Sequence, residues 1–336
     1  MKTVMKACIY GAGAIGGWLG MALAQAGAEV SCVARGATLA ALQAQGLRLT
    51  RPDGTEVQAA VRAHSDPGAL GVQDLVVIAV KAPALPAVAA AIAPLIGPQT
   101  IVLTAMNGVP WWFTAGCEGE AHGQALTSVD ADGSIARAIP TAQVVGGVVH
   151  ASCAQTAPGH IRQHFGNQLI LGEPQGGDSA RVQQLAALFA RGGIETSCAA
   201  KIQRDIWFKL WGNMTMNPIS ALTGATADRI LDDELVRAYI THVMLEAKAI
   251  GERLGLPIAQ QPEDRHAVTR KLGAFKTSML QDVEAGRPME VDALVGAVHE
   301  LGALLHIPTP YTGALLGLTR LMARTRGLYP EATTAP

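Results

Sequence analysis

Residues 7–17 read ACIYGAGAIGG, and the construction of that stretch decides the fold. Ala7–Tyr10 is a short apolar strand, Gly11-Ala-Gly13-Ala-Ile-Gly16 a glycine turn, and Gly17–Ala26 a helical run. A second strand at Glu29–Val33 closes a βαβ unit at Arg35. A helix that begins on glycines points backbone N–H groups and its positive dipole end at whatever lies ahead, which suits a pyrophosphate. Gly11 permits the tight turn, Gly13 lets a ligand reach the backbone, and Gly16 lets helix pack closely on strand. The pattern predicts a dinucleotide site on Gly11, Ala12, Gly13, Ala14, Ile15 and Gly16.

The end of the second strand bears on which dinucleotide binds. NAD sites usually carry Asp or Glu about 20 residues past the glycines, on the ribose 2′-hydroxyl. Residues 31–35 read SCVAR and hold no acid; Arg35 stands where the acid would be. A guanidinium pairs well with a 2′-phosphate, so NADP(H) is the expected cofactor, with a plain surface arginine as the alternative.

The chain has 336 residues, 49% hydrophobic and 16% charged, with a formal net charge of −1. That length suggests two domains, and the apolar content fills two cores. Near-zero charge gives no electrostatic footprint for nucleic acid or an acidic membrane surface. The five cysteines are odd in number, scattered and without a C-x-x-C pair, so neither a disulfide framework nor a zinc ribbon is expected, and a reducing cytoplasm fits. Lys2 and Lys6 before an uncharged stretch imitate a secretory signal, but Gly11, Gly13, Gly16, Gly17 and Gly20 crowd the would-be apolar segment.

Residues 7–110 alternate strands and helices. Leu47–Val61 reads as a hairpin turning at Pro52-Asp-Gly54. Asp74–Val80 and Thr100–Ala105 read as buried parallel strands ending on Lys81 and on Asn107-Gly108. Further strands are expected at Val144–His150, His160–Phe165 and Gln168–Gly172, and helices at Pro83–Ala93 and Ser179–Ala190. From Lys201 onward come apolar-periodic helices: Lys201–Thr215, Asp232–Leu254, Ser278–Glu284 and Met289–His306. The expected architecture is α/β followed by all-α: an N-terminal Rossmann-type doubly wound domain (1–200) and a helical substrate domain (201–336), with a frayed tail from Pro330. Ligands collect at the carboxyl ends of strands in such sheets, and the glycine turn, Arg35, Lys81 and Asn107 all fall there. Taken singly, Lys81 also suits a solvated loop and Asn107-Gly108 an ordinary turn.

Residues 205–218, DIWFKLWGNMTMNP, carry the chemistry. Lys209, Asn213 and Asn217 recur every four residues and form one polar stripe on a helix that is apolar nearly all round. A buried ammonium has a lowered pKa or a partner, and a lysine so lowered is a good proton donor near neutrality. A stem-buried lysine whose amine reaches water is the bland alternative. Downstream, SMLQD (278–282) precedes Arg287-Pro-Met-Glu290. Pro288 suits a first helical turn, which sets Glu290 near a helix N-terminus, where the dipole alone also favours it. Asp282 and Asp292 read as surface or capping residues. His160 and His164 share a strand face, not a helical turn, and no metal site is expected. Trp111-Trp112 read as packing, or as a pocket wall close to Asn107.

With these motifs together the chain resembles the ketopantoate reductase (2-dehydropantoate 2-reductase) family nearly end to end: GAGAIG, Arg35, Lys81, Asn107-Gly108, the W-x-K-L-x-x-N-x-x-x-N-P segment, and S-M-L-Q-D followed by Glu290. The resemblance implies a Rossmann domain, a helical domain, an active site in the cleft, and NADPH reduction of ketopantoate to pantoate on the route to pantothenate and coenzyme A. It further implies the glycine turn, Arg35, Lys81 and the Ala151 backbone on the cofactor, and Asn107 on cofactor and substrate. Lys209 would be the general acid, Asn213, Asn217 and Ser278 substrate-positioning groups, and Glu290 a cofactor-side or lysine-orienting carboxylate. The partner implied is a small 2-keto acid, with a homodimer compatible. Three departures touch the substrate wall: Ala227 replaces a family asparagine, Phe275 replaces a polar contact, and 110–147 is longer than in compact members. A reductase of another small keto acid, or a non-catalytic NADP(H) sensor, are the competing readings.

Overall fold

The structure, a computed structural model, describes residues 4–331. The fraying expected of the tail falls, from residue 332 on, outside the described residues. Two compact units emerge: residues 1–106 with 133–205, and residues 107–132 with 206–336.

The first unit is built on one curled sheet of ten strands. They are β1 (Lys6–Tyr10), β2 (Glu29–Val33), β3 (Leu47–Thr50), β4 (Glu56–Ala59), β5 (Arg62–His64), β6 (Leu75–Ile78), β7 (Ile101–Thr104), β8 (Val144–Ala157), β9 (His160–Gly172) and β10 (Glu195–Cys198). The order is β4-β3-β9-β8-β7-β6-β1-β2-β5, with β10 beside β9. Every pairing is parallel except the hairpins β3–β4 and β8–β9. Parallel strands are buried on both faces, which is why Leu75–Ile78 is uninterrupted apolar residues. The helices are α1 (Ala14–Gln25), α2 (Gly36–Gln45), α3 (Leu85–Ala91), α4 (Ser134–Ala138) and α5 (Ala180–Arg191). Ile9, Leu19, Leu23, Val77, Leu103, Leu169 and Phe189 are core residues here. The chain leaves β1 for β2 on one side and later returns to β6 on the other, so the glycine turn sits at the topological switch point.

Two expected strands, at 160–165 and 168–172, are one continuous strand, and β8 runs to Ala157. The hairpin absorbs the irregularity by register shifts around Ala151 and Gly166 instead of ending there.

The second unit is helical: most of α6 (Ile202–Thr223), then α7 (Ala227–Asp232), α8 (Glu234–Arg253), α9 (Pro262–Arg270), α10 (Ser278–Glu284), α11 (Ala297–Leu304) and α12 (Pro310–Thr325). No described helix is long and apolar enough to cross a membrane. Helix α6 continues past the expected Thr215 through Pro218, because burial on most sides outweighs the cost of an interior proline. The expected helix 232–254 breaks at Asp233, whose Oδ1 accepts from the N–H groups of Leu235 (3.0 Å) and Val236 (2.9 Å) and caps α8. The expected helix from Met289 starts later, with one π turn at Asp292–Gly296. Pro288 therefore precedes the helix, and the Glu290 carbonyl accepts from Leu294 N–H (3.2 Å) at its entrance. Ahead of it, Met289 N–H is already engaged, donating to Leu328 O (3.1 Å). Asp282, expected at the surface, is buried and paired with Arg287 Nε at 3.1 Å. Asp292 accepts from Arg320 Nη2 (2.5 Å) and Tyr329 OH (2.7 Å).

The single boundary expected at residue 200 differs from the observed one, since 107–132 groups with the helices. Its physical anchors are local. The Phe113 ring lies 5.8 Å from that of Trp207, and Glu118 N–H donates to Leu254 O at 3.1 Å. Glu300 accepts from Thr127 N–H (2.7 Å), Thr127 Oγ1 (2.8 Å), Ser128 N–H (2.8 Å) and the Ser128 hydroxyl. Burial pushes the Glu300 carboxyl up, but the Ser128 and Thr127 bonds more than reverse this and hold its pKa below the usual value. The resulting stabilisation is present above the ordinary Glu pKa and disappears as pH falls through the lowered one. Glu300→Ala should cost about 1–3 kcal/mol, the range for hydrogen bonds to a charged group, read as a lower urea midpoint at pH 7 that converges on wild type in acid.

Candidate active site

In the first unit the glycine turn is shaped by contacts that exclude side chains. Gly11 has φ +99°, and a Cβ on Gly16 would come within 2.0 Å of the Gly11 carbonyl oxygen, so the turn folds back on the helix it opens. At Gly13 a Cβ would meet nothing within 4 Å: this face is open. Gly13 is also the N-cap of α1 and no side chain caps it, which leaves the helix start to a ligand. Beside it lies a cavity of about 340 Å³ lined by Tyr10, Gly11, Ala12, Gly13, Arg35, Thr38 and Gln155 among others. Arg35 is exposed and N-caps α2; burial raises the Tyr10 phenol and the nearby Arg35 charge opposes the rise. Lys81 sits at the carboxyl end of β6, next to Val80 of the cavity wall. Ala151 lies where β8 shifts register. Sequence reading missed Thr38 and Gln155, which no motif marks.

In the second unit α6 is immobilised before its polar stripe is used. Trp207, Trp211 and Met214 are buried, and Trp211 Nε1 donates to Met244 O of α8 at 2.8 Å. Lys209 Nζ donates to Asn107 Oδ1 at 2.8 Å. Burial lowers the Lys209 pKa to about 8; the Glu290 carboxylate opposes that shift and Arg265 reinforces it. Glu290 is itself buried. Two turns along α6, Asn217 Nδ2 donates to Ser278 Oγ at 3.5 Å, with Asn217 buried and Ser278, the first residue of α10, exposed. Asn213 stands between them on the same stripe. Asn107, Lys209, Glu290, Asn217 and Ser278 thus share one unit, where Asn107 belongs despite following β7.

Comparison with known proteins identifies these two halves. Residues 7–176 match the family described as "Ketopantoate reductase PanE/ApbA", and residues 201–323 its partner, "Ketopantoate reductase PanE/ApbA C terminal". The chain belongs to the ketopantoate reductase family. It is 48% identical to a 2-dehydropantoate 2-reductase of Mesorhizobium japonicum, over 97% of this chain and all of that one. Among solved structures, a Ralstonia solanacearum protein provisionally named a ketopantoate reductase is 60% identical, with TM-score 0.92 over 97% of this chain and 100% of the other. A PanE/ApbA family ketopantoate reductase from Ralstonia eutropha is 28% identical, with TM-score 0.82 over 96% and 100%. The family is one of nicotinamide-dependent oxidoreductases acting on 2-keto acids.

Two of the three departures expected from the family pattern meet at one point: Ala227 is buried, and its N–H donates to the Phe275 carbonyl at 3.0 Å. Arg265 was not foreseen, because α9 (PEDRHAVTR) has too few apolar residues to read as a helix. The lowered Lys209 pKa has a measurable consequence for stability. The folded chain releases this proton near pH 8, whereas the unfolded chain keeps it to about 10.5. Between those values the unfolded state binds more protons, so stability gains with rising pH from this group. Lys209→Met should remove that gain: its stability relative to wild type, from urea unfolding, should decline steadily from pH 8 to 10.

Proposed function

We propose that the chain reduces 2-dehydropantoate (ketopantoate) to pantoate with NADPH, in pantothenate and coenzyme A biosynthesis. The observation that carries this reading is the Lys209 amine, held by Asn107 and poised near pH 8. When bound, NADPH supplies the hydride to the ketone carbon. The fit of the dinucleotide rests on the uncapped start of α1, the open face of Gly13 and the cavity that runs to Arg35. Lys81 and the Ala151 backbone are assigned to the same cofactor, and Arg35 to its 2′-phosphate, where a bidentate guanidinium discriminates against a hydroxyl.

Lys209 donates its proton to the carbonyl oxygen as the carbon accepts hydride, so that ketone, hydride and proton yield the 2-hydroxy acid. Asn107 aims the ammonium, and the Glu290 carboxylate keeps it from deprotonating too early. Asn213, Asn217 and Ser278 position the substrate's remaining polar groups. Fixing the reacting atoms in this way removes much of the entropic barrier.

One observation favours a second substrate reading, a different small keto acid. Ala227 and Phe275 stand where the family resemblance implies an asparagine and another polar contact, which would make the substrate wall less polar, and they lie side by side, Ala227 N–H donating to Phe275 O.

Lys209→Ala should cut turnover by roughly 10²-fold or more, the range for losing general acid catalysis, with NADPH binding retained in a fluorescence titration. Wild-type turnover should fall as pH rises through about 8, because the protonated amine is the active form. Near-normal turnover by the variant would remove Lys209 from the chemistry. Binding of NADPH with no turnover of any keto acid by wild type would favour a sensor. Arg35→Ala should raise KM for NADPH by roughly 10-fold or more while leaving KM for NADH unchanged, as expected when a charge-assisted phosphate contact is lost.

A further inference from the structure

We infer that the π turn at Asp292–Gly296 is the positioning device of the proton donor: gripped through Asp292 by Arg320 and Tyr329, it sets Asn107 and Glu290 in place around the Lys209 amine. Asp292 and Tyr329 are thus positioning residues. The inference rests on the reading of Lys209 as the proton donor and adds what holds that lysine's partners.

The turn acts first on Asn107. In an ordinary helix Ala297 N–H would donate to Ala293 O, four residues back; here it donates to Asp292 O instead. The freed Ala293 carbonyl accepts from Val109 N–H at 2.8 Å, which ties the segment after Asn107 to the turn. Gly108, at φ +84°, lies so close that a Cβ would come within 2.5 Å of Ala293 O and 2.8 Å of Ala293 Cβ. Backbone contacts one and two residues away therefore fix Asn107, whose Oδ1 accepts from Lys209 Nζ at 2.8 Å.

The same turn fixes the segment that carries Glu290. Two bonds from neighbouring residues straddle it: Met289 N–H donates to Leu328 O (3.1 Å), and Tyr329 OH donates to Asp292 Oδ2 (2.7 Å). Arg320 holds the other carboxylate oxygen, Oδ1, from Nη2 (2.5 Å) and Nε (3.2 Å). Both oxygens of Asp292 are thus engaged by donors from α12 or the strap that follows it. The strap is itself built. Gly327 reverses the chain at φ +66°, and Leu328 N–H closes on Ala323 O at 2.7 Å. The Tyr329 ring lies against the guanidiniums of Arg320 and Arg324, at 5.8 and 5.3 Å. Gly296 leaves room for the ion pair: a Cβ there would meet Asp292 Oδ1 at 3.1 Å and Arg320 Nη2 at 3.2 Å. A partly exposed ion pair contributes little stability, so its worth lies in the geometry it imposes. Burial and the bond to Asp292 push the Tyr329 phenol up to about 12, so it remains a donor throughout the range in which Lys209 titrates. The charges that face the Lys209 amine are Glu290 and Arg265. Slackening Glu290 removes the one that opposes deprotonation, so the lysine's midpoint should fall.

The test is the Lys209 titration, read by the ¹³Cε shift of the full-length chain, beside the pH profile of kcat in wild type, Asp292→Ala and Tyr329→Phe. Asp292→Ala should lower both midpoints by about 0.5–1 pH unit, part of the roughly 1–3 units that a nearby opposite charge supplies. It should also cut kcat about 10-fold, short of the roughly 10²-fold cost of a full misplacement, with KM for NADPH unchanged. Tyr329→Phe keeps the ring and loses one bond, so it should fall between Asp292→Ala and wild type. A merely structural role would lower the urea midpoint and leave the Lys209 titration where it is, and that result overturns the proposal. A rise toward the ordinary lysine value overturns it as well, because the turn would then be excluding water, not aiming partners. If Asp292→Ala does not fold, Tyr329→Phe alone decides by the same criteria. A lowered Lys209 titration with kcat untouched would sustain the positioning role and sink Lys209 as the proton donor. An unshifted titration, with turnover lost in Lys209→Ala, would sink the positioning role and leave the reductase reading standing.

Discussion

An ammonium held out of water is the constraint around which the helical unit is organised. Transferring a lysine charge into a poorly hydrated setting is expensive, and the cost shows as a pKa of about 8 in place of 10.5. The sequence bears that cost deliberately. Large aromatic and thioether side chains, Trp207, Trp211 and Met214, bury helix α6 and fix its rotation, which leaves Lys209 one direction to face. Asn107 then accepts from the amine, and Glu290 supplies the countering charge. Weakening any of the three would move the proton.

The first unit solves a different problem, the close approach of backbone to phosphate. It does so by excluding side-chain atoms. The Gly16 contact with the Gly11 carbonyl draws the helix start against the strand end, and Gly13 leaves its outer face clear. Because β1 lies where the sheet order reverses, the turn has no neighbouring crossover covering it. An anion there meets N–H groups and a helix dipole without any charged residue in the turn itself.

The first βαβ unit was legible because its signal is local: a strand, three spaced glycines and a helix need nothing from elsewhere in the chain. Helix α10 and strand β2 were likewise readable to the residue. Elements that depend on distant packing were not. Helix α12, with its glycines and threonines, and polar α9 are stabilised by what they dock on, not by their own periodicity. The same holds for 107–132, which only the Trp207 ring and the Glu300 carboxylate reveal as part of the helical unit. Of the candidate site, the four-residue spacing of Lys209, Asn213 and Asn217 was visible in advance. Asn107 was marked by its place at the end of a strand and by the family resemblance, but its bond to Lys209, 102 residues away, was not, and Arg265, from a helix not foreseen, carries no sequence signature.

The most direct measurement is the titration of the Lys209 side chain itself, followed by the ¹³Cε chemical shift of the selectively labelled full-length chain, assigned by Lys209→Met. A midpoint near pH 8 is expected from the buried amine. A midpoint near the ordinary lysine value of about 10.4 would mean that the amine is solvated, and the proton-donor assignment would be wrong.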